Sequence, residues 1–358
     1  LHRHPQVRDR RPRRGGLSVL ALTGGSRARA RLTGAASYLP DRVLTNAELA
    51  TMVDTSDEWI TERTGIRERR IAAPEQATSD LAVLAAEEVL RQTRTSPADL
   101  DMVIVATTTP DFVFPPTSAL VADRLGATSA GAVDMNAVCT GFIYAMAHAT
   151  ALVEAGLARK VLVTGSETLS RIINWEDRGT CILFADGAGA VMIEADEGEP
   201  GSGILGFELG ADGSGRDLLC VRAGGSRAPV DAPGIAPEDT KIFMNGREVF
   251  RFATRVMIDS STRLLAEAGL TIDDVDLFVA HQANERILDH AVEKLEIPRE
   301  KVVMNLDRYG NTSSASIPIA LAEAAERQQV QPGGLVLMVG FGAGLTWGST
   351  LARWEPRS

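Results

Sequence analysis

Apolar positions along the chain follow two alternating patterns, and both patterns occur twice. From Leu81 to Arg91 they repeat with a helical period and predict an amphipathic helix; after the turn Ser96-Pro97-Ala98-Asp99, the apolar run Leu100 to Ala106 predicts a buried strand. The second half repeats this order. Val256 to Ala268 predicts a helix, Gly269 its C-terminal cap, and Thr271-Ile272-Asp273-Asp274 leads into a strand from Val275 to Ala280. A further unit also recurs: a short strand from Gly131 to Met135 reaches Cys139, an apolar helix runs from Phe142 to Ala155, and Val161-Leu162-Val163 resumes the sheet. Its counterpart passes from Val302-Val303-Met304 through Asn311 into a helix ending near Glu326, then into Leu335 to Val339. Cys139 and Asn311 are thereby expected at equivalent places in a duplicated unit.

Strands alternating with helices predict an α/β protein with two similar, mainly parallel sheet halves and helices between and outside them. In such folds ligands gather beyond the carboxyl ends of the strands. Residues 201–240 break the rhythm with Gly, Pro and Asp and are expected to connect the halves, with some irregular strand structure. The expected division is a leader over 1–30, an N-terminal half over 31–200, that connection, and a C-terminal half over 241–356.

Composition narrows the class. The chain has 358 residues, 44% hydrophobic and 23% charged, enough for two packed domains without covalent staples. Its three cysteines, Cys139, Cys181 and Cys220, are too widely spaced for a disulfide framework or a paired metal motif, so a reducing, cytoplasmic setting is expected. No apolar run reaches the ~20 residues of a membrane span. The net charge of −10 divides into +8 over residues 1–31 and −18 over the remainder, and an acidic body argues against nucleic-acid binding. Arg13-Arg14 precedes the apolar stretch Leu17 to Leu22, which is shorter than the ~7–15 residues of an export signal; a disordered tail or a mis-assigned start is the simpler reading.

Candidate chemistry centres on three residues. Cys139 stands where a strand turns into a helix, a position whose N-terminal field lowers a thiol pKa. Position alone leaves a nucleophile and a core thiol open for it, while Cys181 and Cys220 read as core thiols. His281 ends an apolar strand at the ligand edge of the sheet, whereas His148 and His290 lie within helical runs and read as structural or surface residues. Asn311, in Gly310-Asn311-Thr312-Ser313, reads as a helix cap or as an amide that donates to a developing oxyanion without titrating. Gly340-Phe341-Gly342-Ala343-Gly344 lacks the following helix of a nucleotide loop and suits a strand end that brings a backbone N–H close to a reacting carbonyl.

Together these elements resemble the thiolase superfamily, and within it the 3-oxoacyl-acyl-carrier-protein synthase III family, over about residues 30–354. The matching segments are Asp54 to Ile60, Arg63 to Arg69, Val138 to Phe142, Asp177 to Thr180, His281 to Asn284 and Gly310 to Ser313. The resemblance implies a homodimer that condenses an acyl-CoA primer with malonyl-acyl-carrier-protein, with Cys139 as nucleophile and His281 with Asn311 driving decarboxylation. It implies oxyanion contacts from the N–H groups of Cys139 and Ala343, and no metal or redox cofactor. Trp59 and Arg178 are implied to sandwich the adenine of coenzyme A, with Arg63 on its phosphates. Thr55, Gly246 and Asn284 would line the pantetheine tunnel. Gln282, Ala283, Asn284, Glu285 and Arg286 would meet the carrier protein, and Phe114 would reach the partner subunit's primer pocket. Two departures bear on tunnel shape: Arg247 follows the tunnel glycine, and Ala343 stands where many relatives carry glycine. A degradative thiolase would carry a second cysteine in the glycine loop, and an elongating synthase a histidine in place of Asn311. Plant-type polyketide synthases share the three catalytic residue types, and the segment with Trp59 and Arg63 separates them. A starter-unit synthase of a secondary pathway and an inactive scaffold partner are the alternatives.

Overall fold

The computed structural model describes residues 17–20, 29–196 and 201–357. The chain opens with β1 (Leu17–Leu20), β2 (Arg29–Tyr38), β3 (Arg42–Thr45), α1 (Asn46–Leu49), α2 (Asp57–Thr64) and β4 (Glu68–Ile71). The first half continues with α3 (Thr78–Thr93), β5 (Met102–Ala106), α4 (Thr117–Leu125), β6 (Gly131–Met135), α5 (Gly141–Glu154), β7 (Lys160–Thr168) and β8 (Asp186–Asp196). Then follow β9 (Ile204–Ala211), β10 (Leu219–Val221), β11 (Ile242–Met244), α6 (Gly246–Glu267), β12 (Leu277–Ala280) and α7 (Glu285–Leu295). The chain closes with α8 (Leu306–Tyr309), α9 (Ser316–Glu326), β13 (Leu335–Gly342) and β14 (Thr346–Arg353).

Two five-stranded sheets carry the fold, ordered β2-β8-β7-β5-β6 and β1-β9-β14-β13-β12. The duplication is plain in their pairings: β5–β7 and β12–β13 run parallel, while β7–β8 with β8–β2 and β13–β14 with β14–β9 run antiparallel. The sheets are therefore mixed rather than mainly parallel. A parallel pair needs a crossover helix, and helices do lie between β5, β6 and β7. After β7 no long helix intervenes and β14 follows β13 through a tight turn, so each chain returns antiparallel.

Helices α5 and α9 pack between the sheets, α3 covers the outer face of the first and α6 that of the second. The central layer is apolar on both sides: Phe142, Met146, Ile317 and Leu321 meet Ile104 and Val163 of one sheet and Val279 and Met338 of the other. All eight side chains are fully buried, each worth about 1.5–3 kcal/mol of transfer free energy.

Three boundaries differ from the sequence reading. The connection contains β9, a full member of the second sheet, which the sequence hides because Gly206 and Gly210 break up its apolar residues Ile204, Leu205, Phe207 and Leu209. Helix α6 begins at Gly246, ten residues before Val256, with Asn245 as its cap. Val302 to Met304 forms no strand; Val302 makes only a bridge to Phe278. The expected leader lies mostly outside the described residues, including Arg13, Arg14, Ala21 and Leu22; within it Leu17–Leu20 pairs with β9, and Arg29 and Ala30 begin β2.

Candidate active site

Cys139 lies on a single 3-10 turn, Val138–Thr140, between β6 and α5. Val138 adopts φ 52°, an αL conformation that a β-branched residue avoids. The turn is held by Asn136 Oδ1, which accepts from the Val138 N–H at 3.3 Å, and by the Thr140 hydroxyl, which donates to the Ala137 carbonyl at 2.6 Å. The second half builds the same device: Asn311 Oδ1 accepts from the Ser313 N–H at 2.9 Å, Ser313 has φ 50°, and α9 follows at Ser316. Matching these turns corrects the expected equivalence, since Asn311 corresponds to Asn136, and the residue corresponding to Cys139 is Ser314. Asn311 thus closes a local turn rather than capping α9, whose N-cap is Ala315. That bond consumes only Oδ1 and leaves the Nδ2 amide as a donor.

Each half holds the other's turn. The Asn311 N–H donates to the Leu183 carbonyl and its carbonyl accepts from the Ala185 N–H, both at 2.9 Å. Gly342, at the end of β13, lies so close to Cys139 that a Cβ would stand 2.9 Å from the Cys139 nitrogen, and in mirror fashion a Cβ at Gly165 of β7 would collide with the Ser314 carbonyl. Thr346 completes the clamp: its hydroxyl oxygen lies 3.0 Å from the Ala137 carbonyl, 3.1 Å from the Ala343 carbonyl and 2.7 Å from the Thr140 hydroxyl, with one hydrogen to share among them. The Ala343 turn is thereby tied to the Cys139 turn, with β14 rather than a helix beyond it.

His281 extends β12 and is buried. Its N–H donates to the Val339 carbonyl at 2.8 Å, its ring meets Phe341 edge-on at 5.1 Å, and Nδ1 lies 2.6 Å from Ser316 Oγ. The Gln282 N–H also points at that oxygen, at 3.4 Å. The Ser316 hydroxyl can donate to Nδ1 while it accepts from Gln282, and that arrangement places the imidazole hydrogen on Nε2. The segment 311–316 consequently bears on all three residues: it contains Asn311, orients His281 through Ser316, and packs its 3-10 turn against the turn that carries Cys139.

Burial governs the charges. It pushes the Cys139 thiol up to about 12. The resting Cys139 side chain is therefore a thiol, which corrects the expectation of a lowered pKa: desolvation of the anion outweighs the field at the start of α5. Burial likewise pushes His281 down to about 3, so the ring is neutral. Since this histidine titrates near 6.5 once unfolded, the unfolded chain takes up the extra proton first as pH falls. Stability is full above that value and declines as pH falls from there toward the folded value. The urea midpoint is expected to drop between about pH 7 and pH 4.5, and to drop less in His281→Gln, with tryptophan fluorescence as readout. An equal drop in both proteins would assign the acid sensitivity to other groups.

The residues expected around coenzyme A fall into two groups. Trp59, on α2, has the Arg63 Cζ at 4.3 Å and the Arg178 Cζ at 5.0 Å from its ring centre. Two stacked layers at about 3.5 Å each need about 7 Å, so Arg178, half exposed and bonded to the Asp54 carbonyl at 3.0 Å, must swing outward to admit a base. The Thr55 hydroxyl is buried without a partner, as suits a group awaiting a ligand, and a side chain at exposed Gly246 would meet only Met244, at 3.6 Å. Asn284, by contrast, has both polar ends occupied: it caps α7 through the Arg286 N–H and donates to the Arg63 carbonyl, each at 2.9 Å.

Gln282 and Ala283 are buried, which removes them from the expected carrier-protein surface. The Gln282 amide donates to the Ala280 and Val303 carbonyls and accepts from the Asn305 N–H, a purely internal brace. Half-buried Glu285 and exposed Arg286 remain available to a partner. Phe114 stands 82% exposed beside Val113 and Phe112, an apolar loop tip that none of the described residues covers. Cys181 is buried in the core, as expected, whereas Cys220 is half-buried on the two-stranded β10–β11 pair and is not a core thiol. His148 and His290 are exposed on α5 and α7. Sequence reasoning assigned no role to Ser313, Ser316 or Thr346; the Ser-rich run before α9 is the trace of the first two, and Thr346 at the start of β14 leaves none.

Among the described residues no helix is long and apolar enough to cross a membrane, and no group of acidic, Cys or His side chains could hold a metal. Two family models match the chain, 3-oxoacyl-[acyl-carrier-protein] synthase III over residues 133–213 and the C-terminal model of the same family over 265–354. A beta-ketoacyl-[acyl-carrier-protein] synthase III from Desulfitobacterium hafniense is 52% identical over 91% of this chain and 98% of its own. The solved synthase III of Thermus thermophilus superposes with a TM-score of 0.85 at 49% identity, over 91% of this chain and all of that one. The priming beta-ketosynthase of the R1128 polyketide pathway superposes at 0.88 with 36% identity, over 94% and 100%. With its duplicated thiolase-like fold, the chain belongs to the 3-oxoacyl-[acyl-carrier-protein] synthase III family of condensing acyltransferases.

Proposed function

We propose that this protein initiates fatty-acid synthesis by condensing an acyl-CoA primer, carried on Cys139, with malonyl-acyl-carrier-protein. The observation that carries the assignment is the 311–316 segment, which gathers a thiol, a neutral imidazole and an uncharged amide in one buried site. In the first step Cys139 sulfur attacks the thioester carbonyl, the N–H groups of Cys139 and Ala343 hold the oxyanion, and the thiol proton leaves with coenzyme A. In the second, His281 Nε2–H and Asn311 Nδ2–H donate to the malonyl thioester oxygen and stabilise the enolate as carbon dioxide departs. The carbanion then attacks the acyl-Cys139 carbonyl and expels the thiolate. A thiol of pKa near 12 takes a proton back, so each turnover consumes one. Neither step calls for a metal or redox cofactor.

Trp59, Arg63 and Arg178 suit adenine and phosphate recognition, because a guanidinium both stacks and neutralises. Glu285 and Arg286 are the carrier-facing residues, the tip with Phe114 seats in a second copy, and the enzyme works in the cytoplasm. Higher identity to the Thermus synthase than to the polyketide-priming enzyme favours primary fatty-acid synthesis over a secondary pathway.

Intact and peptide mass measurement after exposure to acetyl-, propionyl- and isobutyryl-CoA tests the reading. One acyl group should appear, on Cys139, and malonyl-carrier should discharge it as a 3-oxoacyl-carrier. The same acyl-enzyme should sediment at twice 38.2 kDa. Acylation chiefly at Cys181 or Cys220, or an active monomer, would contradict it.

A further inference from the structure

Glu167, near the end of β7, is fully buried, and neither step above uses it. Among the described residues it has no ion pair. Oε2 takes the Thr108 N–H and hydroxyl, each at 3.0 Å, and the Thr109 hydroxyl at 2.7 Å, with the Thr107 hydroxyl at 3.3 Å. Oε1 meets the Ser314 hydroxyl at 2.8 Å, and that same oxygen lies 2.9 Å from the Ala106 carbonyl. A hydroxyl has one hydrogen, and a carbonyl can only accept. When Ser314 donates to Ala106, the hydrogen in the Glu167 contact must come from the carboxyl group. We propose that Glu167 is a protonated carboxylic acid whose Oε1–H donates to Ser314, and that it is a positioning residue clamping the Asn311 turn to β5 and the Thr107–Thr109 segment.

Burial acts in the same direction, raising the carboxyl pKa against its hydrogen bonds. The titratable groups on the surrounding segments are Asp80, Asp111, Cys139, Asp186 and His281, and none is hydrogen-bonded to Glu167. Asp80 pairs with Arg124, Asp111 takes Ser79 and Thr117, and Asp186 takes Ser170 and the Ala72 N–H. The duplication gives the arrangement its meaning: Ser314 occupies in the second half the place of the nucleophile in the first, and Glu167 ties it down. A neutral clamp also adds no negative charge beside the thiolate that condensation expels from Cys139.

The proton itself is read by infrared difference spectroscopy between the whole protein and Glu167→Gln. A protonated carboxyl C=O band should be present in the wild type at neutral pH, shift in D2O, and vanish in the variant. This arm stands independently of the condensation roles proposed above. A second arm rests on them and uses Glu167→Ala, which should lower malonyl-carrier decarboxylation about tenfold more than Cys139 acylation, because the displaced turn carries Asn311. Glu167→Gln should restore that ratio, since its amide oxygen accepts from the threonines and its NH2 donates to Ser314. The pH profile of Cys139 alkylation by iodoacetamide should coincide in wild type and Glu167→Gln. Absence of the carboxyl band, or a Glu167→Gln profile displaced to lower pH as loss of an anion requires, would overturn the proposal. Should Glu167→Ala fail to fold, the infrared band and the Gln alkylation profile still decide it.

Discussion

Asn311→Ala should still take an acyl primer onto Cys139 yet lose malonyl-carrier decarboxylation by about 10²-fold or more, the size of deleting one oxyanion donor. The division follows from what each step demands. Acyl transfer needs the sulfur and backbone N–H groups, which the β13 end and Thr346 hold in place without the Asn311 amide. Decarboxylation needs two side-chain donors on one carbonyl. Because Oδ1 also accepts from the Ser313 N–H, Ala removes a donor and a structural bond together. Asn311→Asp separates them: a carboxylate keeps that bond but cannot donate, so it should regain thermal stability and not decarboxylation. Single-turnover acylation by mass and carbon dioxide release from malonyl-carrier give the two readings. An Asn311→Ala enzyme that acylated poorly but decarboxylated normally would reduce this residue to its turn.

Cys139→Ala should show the reverse division, losing condensation by on the order of 10⁴-fold or more, as removal of a covalent nucleophile does. Without the thiol there is no acyl-enzyme and nothing for the carbanion to attack. His281 and Asn311 are not anchored through the Cys139 side chain, since Ser316, Val339 and the Leu183–Ala185 backbone hold them. The variant should therefore release carbon dioxide from malonyl-carrier and form acetyl-carrier as the enolate picks up a proton. A variant that still condensed, or that carried acyl on Cys181 or Cys220, would move the nucleophile elsewhere.

The sequence exposed the duplication and the three central residues because strand-to-turn-to-helix transitions leave sharp local marks. His281 directly follows an apolar strand, Cys139 lies between a short strand and an apolar helix, and Asn311 sits in a Gly-Asn-Thr-Ser turn ahead of another helix. What it could not expose was closure between halves. Gly203, Gly206 and Gly210 disguised β9 as loop, since a strand inside a sheet tolerates glycine where a neighbour packs close, as the Trp347 ring does on Gly210. Burial was equally invisible: position promised a reactive thiolate at Cys139, and only the packing around it reverses the sign. Gln282 and Ala283 looked like surface by family resemblance, yet the Gln282 amide braces Ala280, Val303 and Asn305 from within. Ser316 and Thr346 act across sequence separations that no local pattern encodes.

The reciprocal clamping of the two turns also bears on how such a chain can arise. Gly342 and Thr346 lie some 200 residues from the Cys139 turn they hold, and Leu183 and Ala185 lie more than 100 from Asn311. A polypeptide of half this length, carrying one copy of the unit, has no strand end of its own placed to back its turn; a second molecule would have to supply it. Two identical short chains set face to face would back each other's turns in this way. Within one chain the two copies are free to differ, one carrying a sulfur at the turn and the other a bound hydroxyl.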